Sequence, residues 1–145
     1  MKIAIAADHN GIKIKAKIKK YLEHLGHEVI DYGTNTIDSV DYPEYAFKVG
    51  NALKEEVELG ILICGTGNGM AIAANKVDGV RCALLHNIKE AILAKEHNNA
   101  NCIALSSTLS MFRIKDMLDA FMNAKFPTAE RHQRRVDMIN NYKWV

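Results

Sequence analysis

The feature that most constrains this chain is an alternation: short apolar runs recur between longer stretches whose apolar positions fall at helical spacing. A short run that is apolar at successive positions is a strand covered on both faces, and a strand covered twice needs helices above and below it. The pattern predicts strands at about 2–7, 27–32, 59–64, 80–84 and 101–105. Helices are predicted at about 11–25, 43–56, 68–76, 87–96 and 109–123, with a last one at about 128–141. Gly26 closes the first helix, Gly33 ends the second strand, and Pro43 and Pro127 stand where helices start. The expected architecture is α/β: a three-layer, Rossmann-like fold with a five-stranded parallel sheet, helices on both faces and a C-terminal helix. The 145 residues suit one domain with a sizeable core, spanning 1–145.

Composition narrows the function classes. With 48% hydrophobic and 25% charged residues the chain reads as an ordinary globular protein. A net charge of +2, with few aromatics and no basic patch between them, argues against nucleic acid. Lys13, Lys15, Lys17, Lys19 and Lys20 read as the solvated face of the first helix. No apolar run approaches the roughly 20 residues of a membrane helix, and the first residues read as a strand rather than a leader, so a cytoplasmic protein is expected. Three cysteines without C-x-x-C spacing argue against a disulfide framework and a zinc site. Cys82 and Cys102 read as small buried hydrophobes within strands. No metal is expected, since His and carboxylates do not recur at ligand spacing; His24 and His27 straddle a helix end and read as surface or capping residues.

In sheets of this kind ligands bind outside the carboxyl ends of the strands. The residues there are Asp8-His9-Asn10, Cys64 to Asn68, His86-Asn87 and Ser106-Ser107-Thr108, a polar set expected to face one cleft. The run from Ile61 to Met70 carries the chemistry, because an apolar strand delivers Cys64 to a glycine-rich turn that opens a helix. Backbone N–H groups at such a turn and the helix dipole stabilise negative charge, a setting that favours the thiolate form of a cysteine. Something anionic is therefore expected to be bound, or made, beside a sulfur that can take a proton. Two other glycine-loop readings fail. A P-loop needs Lys then Ser or Thr after its last glycine, where this chain has Met70-Ala71. The dinucleotide fingerprint needs its third glycine one position later than Gly69, and the next strand offers no acidic residue for a ribose. A nucleotide cofactor is not expected.

Seven segments, in order, carry a resemblance: Ala7-Asp8-His9-Asn10-Gly11, Gly26-His27-Glu28-Val29, Asp41-Tyr42-Pro43, Cys64-Gly65-Thr66-Gly67-Asn68-Gly69, Ala73-Ala74-Asn75-Lys76, Glu96-His97-Asn98-Asn99-Ala100-Asn101 and Arg131-His132-Gln133-Arg134-Arg135-Val136. Together they resemble the ribose-5-phosphate isomerase B family, which also holds allose- and galactose-phosphate isomerases. The resemblance implies an aldose–ketose isomerase with no metal or organic cofactor, built as a homodimer, or a tetramer, whose active sites are shared between subunits. It implies Cys64 as the carbon base, with the N–H groups of Gly65 to Gly69, including Gly67 and Asn68, as the anion hole. A branch of the family instead uses a Glu at the position of Met70, so this chain falls in the cysteine branch. His97 matches the residue that opens the sugar ring, with Asn98 beside it. Asp8 matches the carboxylate on the substrate hydroxyls, Thr66 supplies an N–H and a hydroxyl, and Tyr42 contributes from the 33–43 loop. Arg131 and Arg135, four apart on the last helix, match the phosphate ligands, with His9 as a third contact.

The chain departs from the family pattern at Thr108, where many members carry an Arg that reaches the substrate from the partner subunit. Arg113, five residues on, points elsewhere on its helix. The departure leaves open a hexose 6-phosphate isomerase as the alternative substrate reading. A catalytically silent sugar-phosphate-binding module is the alternative from another class, opposed by Cys64 and His97 together.

Overall fold

The computed structural model describes residues 1–143. Its elements follow one another as β1 (Lys2–Ala7), α1 (Ile12–His24), β2 (Glu28–Asp31), α2 (Tyr42–Ala52), β3 (Leu59–Cys64), α3 (Asn68–Ala74), β4 (Cys82–Leu84), α4 (Ile88–Asn98), β5 (Cys102–Ser106), α5 (Met111–Asn123) and α6 (Glu130–Asn141). The five strands form one parallel sheet in the order β2-β1-β3-β5-β4, so the last strand in sequence lies inside the sheet and β4 is an edge. This is the expected three-layer α/β architecture.

Handedness assigns the helices to faces. Right-handed crossovers that step from β2 toward β4 place their helices on one side, and steps in the reverse direction place them on the other. Accordingly α2 and α3 cover one face, packing on Ala4, Ala6, Leu62, Cys64 and Ala104. The opposite face, with Ile3, Ile5, Ile61, Ile63, Ile103 and Leu105, is covered by α1, α4 and α5. The first face is built from small residues because α2 lies close against it: a Cβ on Gly60 would stand 2.6 Å from Val49 Cγ1. The helix after β1 goes to one face and the helix after β3 to the other, which opens a crevice at the carboxyl ends of those neighbouring strands.

Three local expectations are corrected. Lys15 is no surface lysine. It is 2% exposed, and its ammonium reaches Asp31 Oδ1 at 2.9 Å, Thr34 O at 2.5 Å and Asn35 Oδ1 at 2.8 Å. It lies on the buried stripe of α1 with Ile18 and Leu22, one and two turns on, so helical geometry overrides its charge and the β2–α2 loop supplies the acceptors. Cys102 is fully buried, but its neighbour across the ladder, Cys82, is half-exposed because β4 is an edge strand. Pro127 precedes the first residue of α6 by three positions and lies in the loop, whereas Pro43 occupies the first turn of α2.

Candidate active site

The crevice between β1 and β3 gathers most of the residues read from the sequence. β1 ends in Ala7, and the chain leaves it through Asp8, whose N–H donates to Ile63 O at 3.0 Å. The Asp8 carboxylate is buried and accepts the Asn10 N–H at 2.9 Å through Oδ1. Among the described residues no ion pair reaches this carboxylate, which lies beside the end of β3. His9, half-buried, accepts the Val40 N–H on Nδ1 at 3.4 Å, so in the neutral ring Nε2 carries the proton and is left to donate.

Cys64 closes β3 and is buried, and its Sγ accepts the Gly67 N–H at 3.2 Å. The turn above it depends on glycine at two positions. Gly67 has φ +82°, and a Cβ there would stand 2.6 Å from Leu84 Cδ1. Gly69 lies under the ring of Tyr42, and any side chain on it would occupy the space of that ring. The Asn68 N–H is taken by Thr66 Oγ1 at 3.2 Å and the Ala71 N–H by Gly67 O at 3.0 Å, while the Gly69 and Met70 amides between them belong to the first turn of α3, which has no intrahelical carbonyl to receive them. Tyr42, the first residue of α2 rather than a loop residue, walls the other side. A thiol, a carboxylate, a tyrosine and outward-facing amides thus meet at one sheet edge, where a proton can be taken from carbon while the amides hold the oxygen that becomes negative.

The remaining predicted residues are elsewhere. α4 starts at the carboxyl edge of the sheet and runs back antiparallel to the strands; its 11 residues span roughly 16 Å, which puts His97 and Asn98 at the opposite edge. There the His97 ring stacks on His132 of α6 with centroids 4.6 Å apart and planes at 13°. Arg131 and Arg135 flank His132 on the same helix, exposed and without a carboxylate partner among the described residues. Burial first, then the positive neighbours His97, Arg131 and Arg135, hold the His132 imidazole below its ordinary value. This is a cationic cluster suited to an anion. Within one chain it does not meet Cys64.

Not every strand end serves the crevice. His86 and Asn87 are spent on the start of α4, where Asn87 Oδ1 accepts the Glu90 N–H at 2.8 Å and Glu90 Oε1 accepts the His86 N–H at 2.8 Å. Sequence reasoning also missed two residues. Lys15 secures the loop that leads to Tyr42, and its position on the apolar stripe of α1 was the available signal. Arg81 donates to Asn98 O and Asn99 O, at 3.2 Å each from Nε, and to Asn140 Oδ1 at 2.8 Å, fixing the end of α4 and α6 together; burial lowers its guanidinium below the usual value. Nothing in the sequence pattern marks that role. Among the described residues no group of three or more His, Cys, Asp or Glu is placed to hold a metal ion, and no helix is long and apolar enough to cross a membrane.

Comparison with known proteins gives the family of the chain. The family model for ribose/galactose isomerase matches residues 3–139. The chain belongs to the ribose/galactose isomerase family. It is 38% identical to ribose-5-phosphate isomerase B of Mycobacterium tuberculosis over 146 aligned positions, covering 99% of this chain and 90% of that protein. The fold is shared with ribose-5-phosphate isomerase B of Clostridium thermocellum, at TM-score 0.93 and 44% identity over 97% of this chain and 95% of that one. It is shared as well with the Mycoplasma genitalium ribose-5-phosphate isomerase B with bound ribulose 5-phosphate, at TM-score 0.92 and 43% identity over 97% of this chain and 95% of that one. The chain is therefore an aldose–ketose isomerase.

Proposed function

We propose that this isomerase interconverts ribose 5-phosphate and ribulose 5-phosphate in the cytoplasm through an enediolate, with Cys64 as the carbon base. The observation that carries the reading is Cys64 Sγ, buried under the glycine turn and held by the Gly67 N–H. In the aldose-to-ketose direction the thiolate removes the proton from C2. The C–H electron pair becomes the C1–C2 double bond, and the carbonyl pair moves to O1, where the turn amides receive the charge. The proton on O2 passes to O1, which moves the charge to O2; as an O2 electron pair forms the C2 carbonyl, the double-bond pair takes the proton back from the thiol at C1. Asp8 and Tyr42 orient the sugar hydroxyls, and Thr66 adds its N–H and hydroxyl. Three free thiols, two of them neighbours across the β4–β5 ladder, fit a reducing compartment.

The proposal includes a second copy of the chain. His97, Asn98, Arg131 and Arg135 form the complementary half of a site, ring-opening donor and phosphate clamp together, at the sheet edge away from Cys64. A homodimer that brings one protomer's cationic edge to its partner's crevice completes both sites. His9, on the crevice side, then meets the phosphate from below.

Thr108 favours weighing one further substrate reading. Its side chain is a short hydroxyl engaged by Ser106, so no long cation extends from this position toward the sugar, and a hexose 6-phosphate would find more room. Incubating the protein with ribose 5-, allose 6- and galactose 6-phosphates without added metal separates the two. We expect the pentose phosphate to give the highest kcat/KM; a hexose phosphate in first place reassigns the substrate. Cys64→Ala is expected to lower kcat by about 10²–10⁴-fold with KM nearly unchanged. Near-normal turnover in that variant removes Cys64 from the role of base.

A further inference from the structure

Beside the catalytic turn stands a pair of hydroxyls that the mechanism above does not use. Ser106 Oγ donates to Gly65 O at 2.7 Å. The same oxygen lies 2.7 Å from Thr108 Oγ1 and accepts the Thr108 N–H at 3.2 Å. A hydroxyl has one proton, so with that proton on Gly65 O the bond to Thr108 must be donated by Thr108. Ser106 is thereby saturated: one hydrogen bond given, two received. Its hydroxyl cannot rotate away without losing all three.

The peptide it grips is the one that matters. A trans peptide is planar, with C=O and N–H directed oppositely, so fixing the Gly65 carbonyl toward Ser106 fixes the Thr66 N–H away from it. Ser106 itself is anchored by the β3–β5 ladder, where it stands opposite Cys64, and the next residue's N–H donates to Cys64 O at 2.9 Å. Base and peptide are consequently referred to the same pair of strands. Among the described residues no protein group accepts the Thr66 N–H, which leaves it available to an oxygen in the crevice.

We infer that Ser106, braced by Thr108, is a positioning residue that holds the Gly65–Thr66 peptide with the Thr66 N–H aimed at the enediolate oxygen. The inference rests on the reading of Cys64 and its turn as the catalytic centre. It also gives Thr108 a use of its own, as the group that donates to Ser106 and holds its hydroxyl on Gly65 O.

Because the bond acts on charge that develops during the reaction, its loss should appear in kcat and leave ground-state binding alone. Ser106→Ala should lower kcat about tenfold, less than the 10²–10³ of deleting an oxyanion donor outright, with KM within about twofold. The inhibition constant of a hydroxamate analogue of the enediolate should rise by the same factor, and Ser106→Thr, which restores a hydroxyl, should recover most of both. Thermal melts of each variant show whether it is folded. If Ser106→Ala fails to fold, Thr108→Val carries the test through the same two readouts. A loss confined to KM, or an unchanged kcat and hydroxamate affinity while Cys64→Ala is inactive, overturns the positioning role. An active Cys64→Ala overturns the underlying site reading instead.

Discussion

At the scale of single residues, the proposed mechanism divides the work between groups that act on carbon and groups that hold phosphate. It assigns Arg131 and Arg135 to the second kind: they lie one turn apart on α6, exposed, and face the same side beside the stacked histidines. Truncating either to Ala removes a charge-assisted contact worth about 1.5–3 kcal/mol, so KM should rise roughly 10- to 150-fold with a smaller change in kcat. The double variant should fall short of the product of the two effects, since both hold one phosphate. Steady-state kinetics on the three variants check this, and a loss confined to kcat would reassign both arginines. The placement of Cys64 at a strand end, under a turn made by Gly67, was legible in the sequence because a strand, a cysteine and a glycine turn leave few geometries open. Ser106 was not, since a hydroxyl at a strand end fits equally a cap, a surface group or a brace, and only the distance to Gly65 O selects among them.

At the scale of elements, α1 does more than cover the sheet. Its Lys15 crosses the layer to hold the β2–α2 loop through Asp31, Thr34 and Asn35, and Asp31 Oδ1 in turn accepts the Gly33 N–H at 2.8 Å. That loop carries Val40, which sets the His9 tautomer, and ends at Tyr42, the wall of the crevice. Replacing Lys15 with Met leaves a buried carbonyl unsatisfied and Asp31 without its partner, which should destabilise the fold by roughly 3 kcal/mol, the low end for a buried pair because Asp31 keeps some contact with water. Urea denaturation measures it; a loss under about 1 kcal/mol would mean that water replaces the ammonium. The strands and most helices were legible from periodicity alone. The lysine was misread because Lys13, Lys15, Lys17, Lys19 and Lys20 together suggest a wet face, whereas the acceptors that bury Lys15 lie 16 to 20 residues away and are invisible to local spacing.

At the scale of the whole molecule, Cys64 and His97 lie at opposite edges of the sheet, so the proposed mechanism needs two copies of the chain. Mixing Cys64→Ala protein with His97→Ala protein, once subunit exchange is shown, should restore activity from near zero toward one intact site per heterodimer. Mixtures that stay inactive after exchange would mean that each chain builds its own site by a rearrangement of α4 and α6. A site shared between subunits is what the resemblance implies; spacing along the chain gives no sign of it, because it does not reveal which edge of a sheet a helix ends on. The strand order carries a last consequence, for the birth of the chain on the ribosome. β1, β2 and β3 can pair as soon as they emerge, but β4 takes its hydrogen bonds from β5, which is synthesised later and slots in between. Until residue 106 has left the exit tunnel, the β3 edge that will receive β5 lies open with Cys64 at its end. The nascent isomerase thus passes through a window in which Cys64 is the terminus of an unpaired strand, and closing the sheet and burying its thiol are one event.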